Sequence, residues 1–190
     1  VNASQRTDVI GFNEIFNQLS LLKLAVYAPV GYILPSRIKK YEDMYDTEVA
    51  SGGGKLKQAD REKSLQALMT VNLLKRLESS VASFRLTLQS LQSNHQKAPA
   101  KITAYKKSGK AAKFTDHTPD FEDADFDDEL LPDFDETQGD EGSSTGGKVQ
   151  IDLGDMDLPS WEHDLSADLA VIDGLLAEMA KIPPADDAKL

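Results

Sequence analysis

The chain has no cysteine among its 190 residues, which excludes disulfides, thiolate nucleophiles and cysteine-based zinc sites and fits a reducing compartment. Histidine is scarce too: His95, His117 and His163 stand far apart, with no i, i+3 or i, i+4 pair of the kind a metal-binding helix shows. No run of about 18 apolar residues and no charged-then-apolar leader occurs, so neither a membrane span nor a signal peptide is expected and the chain reads as cytoplasmic. A phosphate loop is missing as well. Ser51-Gly52-Gly53-Gly54 leads into Lys55-Leu56, and Ser108-Gly109-Lys110 into Ala111, so neither presents the Ser or Thr hydroxyl that must follow the Gly-Lys of such a loop. Asp127-Asp128-Glu129-Leu130 superficially matches a magnesium-binding motif, but no apolar strand precedes it, and no glycine completes a calcium loop in this region. The sequence therefore offers no catalytic residue, and no residue for holding a cofactor or metal.

Acidity is what the chain has in excess. Its net charge is −11 and its mean hydropathy is −0.40, values that point to a part of the chain outside any core. The source is local: between Asp116 and Glu141 there are 13 acidic residues and no Lys or Arg, leaving 19 acidic against 21 basic residues elsewhere. Just upstream, Lys97, Lys101, Lys106, Lys107, Lys110 and Lys113 form a basic stretch broken by Pro99. High charge and few aliphatics cannot offset the entropy of ordering, so a flexible, largely disordered insert is expected over 97–160. Phe121, Phe126 and Phe134 within the acidic run suit an arm that binds a basic protein partner.

The rest has helical periodicity. Phe12, Ile15, Phe16, Leu19, Leu22 and Val26 predict an amphipathic helix from Phe12 to Tyr27, stopped by Pro29. Ser36 can cap a second helix through Tyr41 and Tyr45, whose first-turn Arg37, Lys39 and Lys40 oppose the helix dipole and leave a basic spot for an anionic partner. Leu65, Met69, Leu73, Leu77, Val81, Phe84, Leu88 and Leu91 form one stripe, which predicts a single rod over 58–94 roughly 50 Å long. Leu165, Leu169, Ile172, Leu176 and Met179 supply another helix before Pro183-Pro184. The fold class expected is mainly α: an antiparallel bundle with a long central helix. Its divisions are helical segments over 1–96, the insert, and a C-terminal helix within 161–190.

The polar wording of the stripe, Leu73-Leu74-Lys75-Arg76-Leu77-Glu78-Ser79-Ser80 followed by Phe84 and Thr87-Leu88, is more specific than periodicity requires. It resembles the helical region that joins the two RecA-like lobes of bacterial SWI/SNF-like helicases of superfamily two. Phe12-Asn13-Glu14-Ile15-Phe16 leading to Tyr27-Ala28-Pro29 and Tyr32-Ile33 resembles the segment after that family's first lobe, and Asp168-Leu169, Leu175-Leu176 and Asp187-Ala188-Lys189-Leu190 the approach to its second. The resemblance implies a middle piece of a larger ATP-dependent DNA helicase or translocase. In such a parent, ATP and magnesium would bind outside this segment, and the helices would brace the lobes or contact double-stranded DNA. It also implies that Lys75, Arg76 and Arg85 touch DNA or a lobe, the arginines through a fork that grips phosphate or carboxylate. From the residues alone, Lys75 and Arg85 belong to an outward polar face and Arg76 to the bundle edge, where local pairing accounts for them equally well. A free-standing helical interaction module with an acidic arm is the rival reading.

Overall fold

The computed structural model describes residues 10–48, 55–115 and 149–182. Helix α1 (Phe12–Leu19) is followed by two short 3-10 turns, Ala25–Tyr27 and Pro29–Tyr32, and by α2 (Ile38–Tyr45). A short ladder of β1 (Thr47–Glu48) and β2 (Lys55–Leu56) precedes α3 (Gln58–Ser79) and α4 (Val81–Ser108). Strands β3 (Lys113–Thr115) and β4 (Gln150–Asp152) pair antiparallel, Thr115 opposite Gln150. The 3-10 turn Leu153–Asp155 then leads into α5 (Leu158–Ala180). The fold is a helical bundle, as expected, and no described helix is long and apolar enough to cross a membrane.

The expected rod is two helices. Ser80 is extended (φ −163°, ψ 150°) and its hydroxyl accepts the Ser83 amide, satisfying one of the donors a helix start leaves open. The two helices fold back on each other. Gln66 on α3 donates to the Lys23 carbonyl, while Asn94 on α4 donates to the Tyr27 hydroxyl four residues further on. In a straight rod, positions 66 and 94 would be about 40 Å apart. Hydrophobic spacing alone does not reveal the bend, because Leu77, Val81 and Phe84 stay buried on both sides of it.

Helix α4 also runs further than expected, through Pro99 to Ser108. An interior proline costs about 3 kcal/mol, but Leu91, His95, Ala98 and Ile102 continue the buried stripe past it, and that burial outweighs the lost bond. The helix ends at Gly109, whose φ of 62° suits a residue without a Cβ, and whose amide closes on the Tyr105 carbonyl. Residues 97–115 and 149–160 of the expected flexible insert thus lie in or beside regular elements. The acidic run itself lies outside the described residues, as do the Ser51–Gly54 stretch and the Asp187–Leu190 end.

Helix α5 lies antiparallel to α4: Glu162 pairs with Lys106, Asp173 with Gln92, and the Met179 carbonyl with Arg85. Its Trp161, Leu165, Ile172, Leu175 and Met179 are fully buried. Helix α1 stops at Leu19, short of the expected Tyr27, because the following segment turns inward to be held by side chains of α3 and α5. Helix α2 starts at Ile38 with Arg37 in the cap position and no side-chain cap bond, so Ser36 does not take the role expected of it. Two of the three cations of the basic spot on α2 are paired, while Lys39 stays exposed: Lys40 pairs with Asp152 and Asp155, and Arg37 lies 3.7 Å from Asp155.

Candidate functional site

The residues singled out by the LLKRLESS wording gather at the elbow between α3 and α4, but they do not form one face. Lys75, Glu78 and Ser79 are exposed. Arg76 is half-buried at the inner edge and its Nη1 lies 3.4 Å from the Ser83 hydroxyl across the bend. The elbow therefore presents a cation at Lys75, an anion at Glu78 and a hydroxyl at Ser79, with Arg76 spanning the two helices. Ser80 is half-buried at the bend and serves as the cap of α4.

Arg85 departs from the sequence expectation. It is turned inward, and its Nη2 donates to the Met179 carbonyl at 2.6 Å, in the last turn of α5. That carbonyl also accepts the Ile182 amide at 3.2 Å, and the last turn carries the negative end of the helix dipole, so the guanidinium adds a second bond to the same oxygen and offsets that charge. Its Nε is buried without a hydrogen-bond partner. Arg85 thus tethers α5 to α4 and stands apart from Lys75 and Arg76.

The most constrained chemistry lies elsewhere, around a segment that sequence reading treats as a helix end and loop. Leu24 adopts φ 51°, ψ 46°, a left-handed conformation that costs a residue with a Cβ roughly 1–2 kcal/mol. The amides on either side, those of Lys23 and Ala25, converge on the two oxygens of Asp168 at 2.7 and 2.8 Å. Successive amides around such a residue make a concave anion receptor, and here a carboxylate of α5 fills it. His95 closes the far side. Its Nδ1 is 2.8 Å from the Leu91 carbonyl and its Nε2 is 3.4 Å from Asp168 Oδ2. Both side chains are shut off from solvent. Trp161 donates its indole N–H to the Ala25 carbonyl, and the Tyr27 ring meets His95 edge-on.

Two further acids fix the same segment. Asp164, one turn before Asp168, accepts from the Tyr32 hydroxyl at 2.7 Å and from Lys23 Nζ at 3.0 Å. Tyr32 and Lys23 hold its carboxyl below the ordinary aspartate value against the opposing effect of burial, while burial, then Asp164, pushes the Tyr32 phenol well above its own. Glu62 on α3 is buried and accepts from the Val30 amide with both oxygens. Sequence reading passes over Glu62 and Asp164, and treats Asp168 as part of a family wording only. The one local signal is the Asp164–Asp168 spacing of four on a helix that is otherwise apolar on that side.

A cleft of about 490 Å³ opens between α2 and the start of α3, with Val30, Ile33, Ile38 and Tyr41 among its apolar lining and Asp46, Asp60 and Lys63 among its charged lining. None of Lys75, Arg76 and Arg85 lines it. Comparison with known protein families, curated proteins and solved structures finds no match for this chain.

Proposed function

We propose that this chain is a helical brace from the region between the motor lobes of a SWI/SNF-like DNA helicase or translocase, with the α3–α4 elbow as its contact surface. The observation that carries this reading is the position of the LLKRLESS segment. The stretch that resembles the family is also the stretch where two long helices meet, and its Lys75, Glu78 and Ser79 are exposed there. A rigid elbow transmits force between bodies docked on its two arms, which is what coupling two lobes demands. In this reading Lys75 and Arg76 meet a lobe carboxylate or a DNA phosphate. Arg85 supports them by holding α5 against α4. ATP and magnesium bind in the lobes of the parent, outside this chain, and the grip is on the backbone of duplex DNA rather than its base edges.

The test uses the intact parent carrying Lys75→Gln and Arg76→Gln together, which keep side-chain length and remove charge. DNA-stimulated ATP turnover or duplex affinity should fall by roughly five- to a hundredfold, the effect of losing charge-assisted contacts of about 1–3 kcal/mol. If the contact is to phosphate, the slope of log affinity against log salt should shrink by about one per cation lost. Unchanged turnover, affinity and slope in a folded variant would remove the elbow from the mechanism. The free-standing interaction module would then be the better account, with a basic protein as the partner of its acidic run.

A further inference from the structure

The fold converts the basic stretch before the acidic run from a flexible linker into one side of a helix. Lys97, Lys101 and Lys107 lie on α4 on the side away from buried Ala98 and Ile102, and Lys110 and Lys113 continue beyond its end; all five are exposed. Among the described residues no carboxylate faces them. Lys23, Arg37, Lys40, Lys106 and Lys181 each face a carboxylate. Lys101, Lys107, Lys110 and Lys113 make no ion pair among the described residues, and Lys97 reaches only the neutral Asn94 side chain. The negative end of the α4 dipole offsets charge in the last turn but not at Lys97 or Lys101, about three and two turns back.

The counter-charge is covalently attached. Residues Asp116 to Glu141 carry 13 carboxylates and no Lys or Arg. The β3–β4 register sets Thr115 against Gln150, so both ends of the stretch between them are fixed a few residues beyond the end of α4. A polyanion tethered at both ends stays at an effective concentration on the order of millimolar at that surface. A second copy of the chain, or a free polyanion, has to compete with it.

We propose that the exposed lysine face of α4, with Lys110 and Lys113, is a docking surface for this chain's own acidic stretch, Asp116–Glu141. Ammonium groups spread along one side of a helix and past its end call for a partner with many interchangeable carboxylates rather than one shaped epitope. The bound register is therefore multiple, and the attraction weakens as salt shortens the Debye length from about 10 Å at 0.1 M to about 3 Å at 1 M. This inference is independent of the motor reading, since it concerns only two segments of the chain.

Carbodiimide coupling, which forms an amide only between a carboxylate and an amine in contact, tests it on the whole chain at low protein concentration, with peptide mapping of the monomer band. The exposed Lys39, Lys63 and Lys75 serve as internal references, and the neighbouring pair Lys113–Asp116 is left out. Expected are amides from the 116–141 carboxylates to Lys97, Lys101, Lys107 or Lys110 at about fivefold or more the frequency of amides to the reference lysines, falling to the reference level in about 1 M salt. A variant with Lys97, Lys101, Lys107 and Lys110 changed to Gln should fold normally and show the same carboxylates unlinked. Equal coupling to all exposed lysines would overturn the proposal. So would amides found only in a covalent dimer, which would assign the surface to a second copy. A third refuting result would be no excess of amides to these lysines in the free chain together with binding of a short DNA duplex that the four-Gln variant loses, which would assign the surface to nucleic acid.

Discussion

Replacing Asp168 with Asn keeps the shape of the side chain and removes its charge and one of its two acceptor oxygens. In the native fold those oxygens take the amides of Lys23 and Ala25 at 2.7 and 2.8 Å, in a pocket closed to water. Hydrogen bonds to a charged group contribute about 1.5–3 kcal/mol each, and a buried donor left without an acceptor costs about 1–3 kcal/mol. The Asn oxygen can keep one amide while its NH₂ confronts the other. The variant therefore loses one strong bond, weakens the second and strands a donor. Relaxation of Leu24 out of its left-handed conformation returns roughly 1–2 kcal/mol, so the net loss should be about 2–4 kcal/mol. Denaturant unfolding followed by the fluorescence of Trp161 is the natural assay. It is the chain's single tryptophan, it is fully buried, and its N–H binds the Ala25 carbonyl beside the perturbed site. A midpoint shift worth less than about 0.5 kcal/mol, with an unchanged slope, would show that the convergence of two amides on this carboxylate does not hold the segment in place.

Other consequences follow from the same contacts. Leu77→Ala and Phe84→Ala, on either side of the bend and both in the core, should each destabilise the fold by about 2–5 kcal/mol in chemical denaturation. Arg85→Gln should release the last turn of α5, raising amide hydrogen exchange at 179–182 ahead of the rest of the helix and costing about 1–3 kcal/mol. Asp155 is held below the ordinary aspartate value by the Tyr41 hydroxyl, then by Lys40 and Arg37. Its contribution is therefore complete above pH about 4 and is lost as pH falls through its lower folded value, so Asp155→Asn should flatten that acid limb. Tyr41 is pushed up to about 12 by burial, then by Asp155. Ultraviolet titration should show two phenols, Tyr41 and Tyr32, ionising later than an unperturbed tyrosine, and Asp155→Asn should bring only the Tyr41 phenol down.

How much of this is legible in the sequence depends on the range of the interaction. The stripe through Leu73, Leu77, Val81, Phe84 and Leu88 is local, and it gives helices and buried faces directly; the C-terminal helix and its end before Pro183 are equally plain. The bend at Ser80 is not, because a serine inside a helical pattern is compatible with both a cap and a solvent-facing side chain until something forces the chain to turn. Pro99 misleads in the opposite sense, since its cost is visible in the sequence while the burial of Ala98 and Ile102 that outweighs it is not. The Lys23–Tyr32 segment is the hardest to read. Its geometry is set by Asp164 and Asp168, more than 130 positions away, and by Glu62 from a third element. Sequence wording marks Lys75, Arg76 and Arg85 alike, but only contact with Met179 separates the inward arginine from the outward lysine.

The pairing of β3 with β4 has a practical consequence for engineering. Because Lys113, Phe114 and Thr115 face Asp152, Ile151 and Gln150 in antiparallel register, the chain leaves and re-enters the bundle at one point. A two-residue Asn-Gly turn is the shortest connection that suits such a ladder. Splicing one between Thr115 and Gln150, which face each other, would replace residues 116–149 and leave 19 acidic against 20 basic residues, moving the isoelectric point from acidic to near neutral. The bundle contacts described above would all be retained in a shortened chain about four-fifths as long, a compact scaffold on which the elbow's surface chemistry can be varied without the long-range field of thirteen carboxylates.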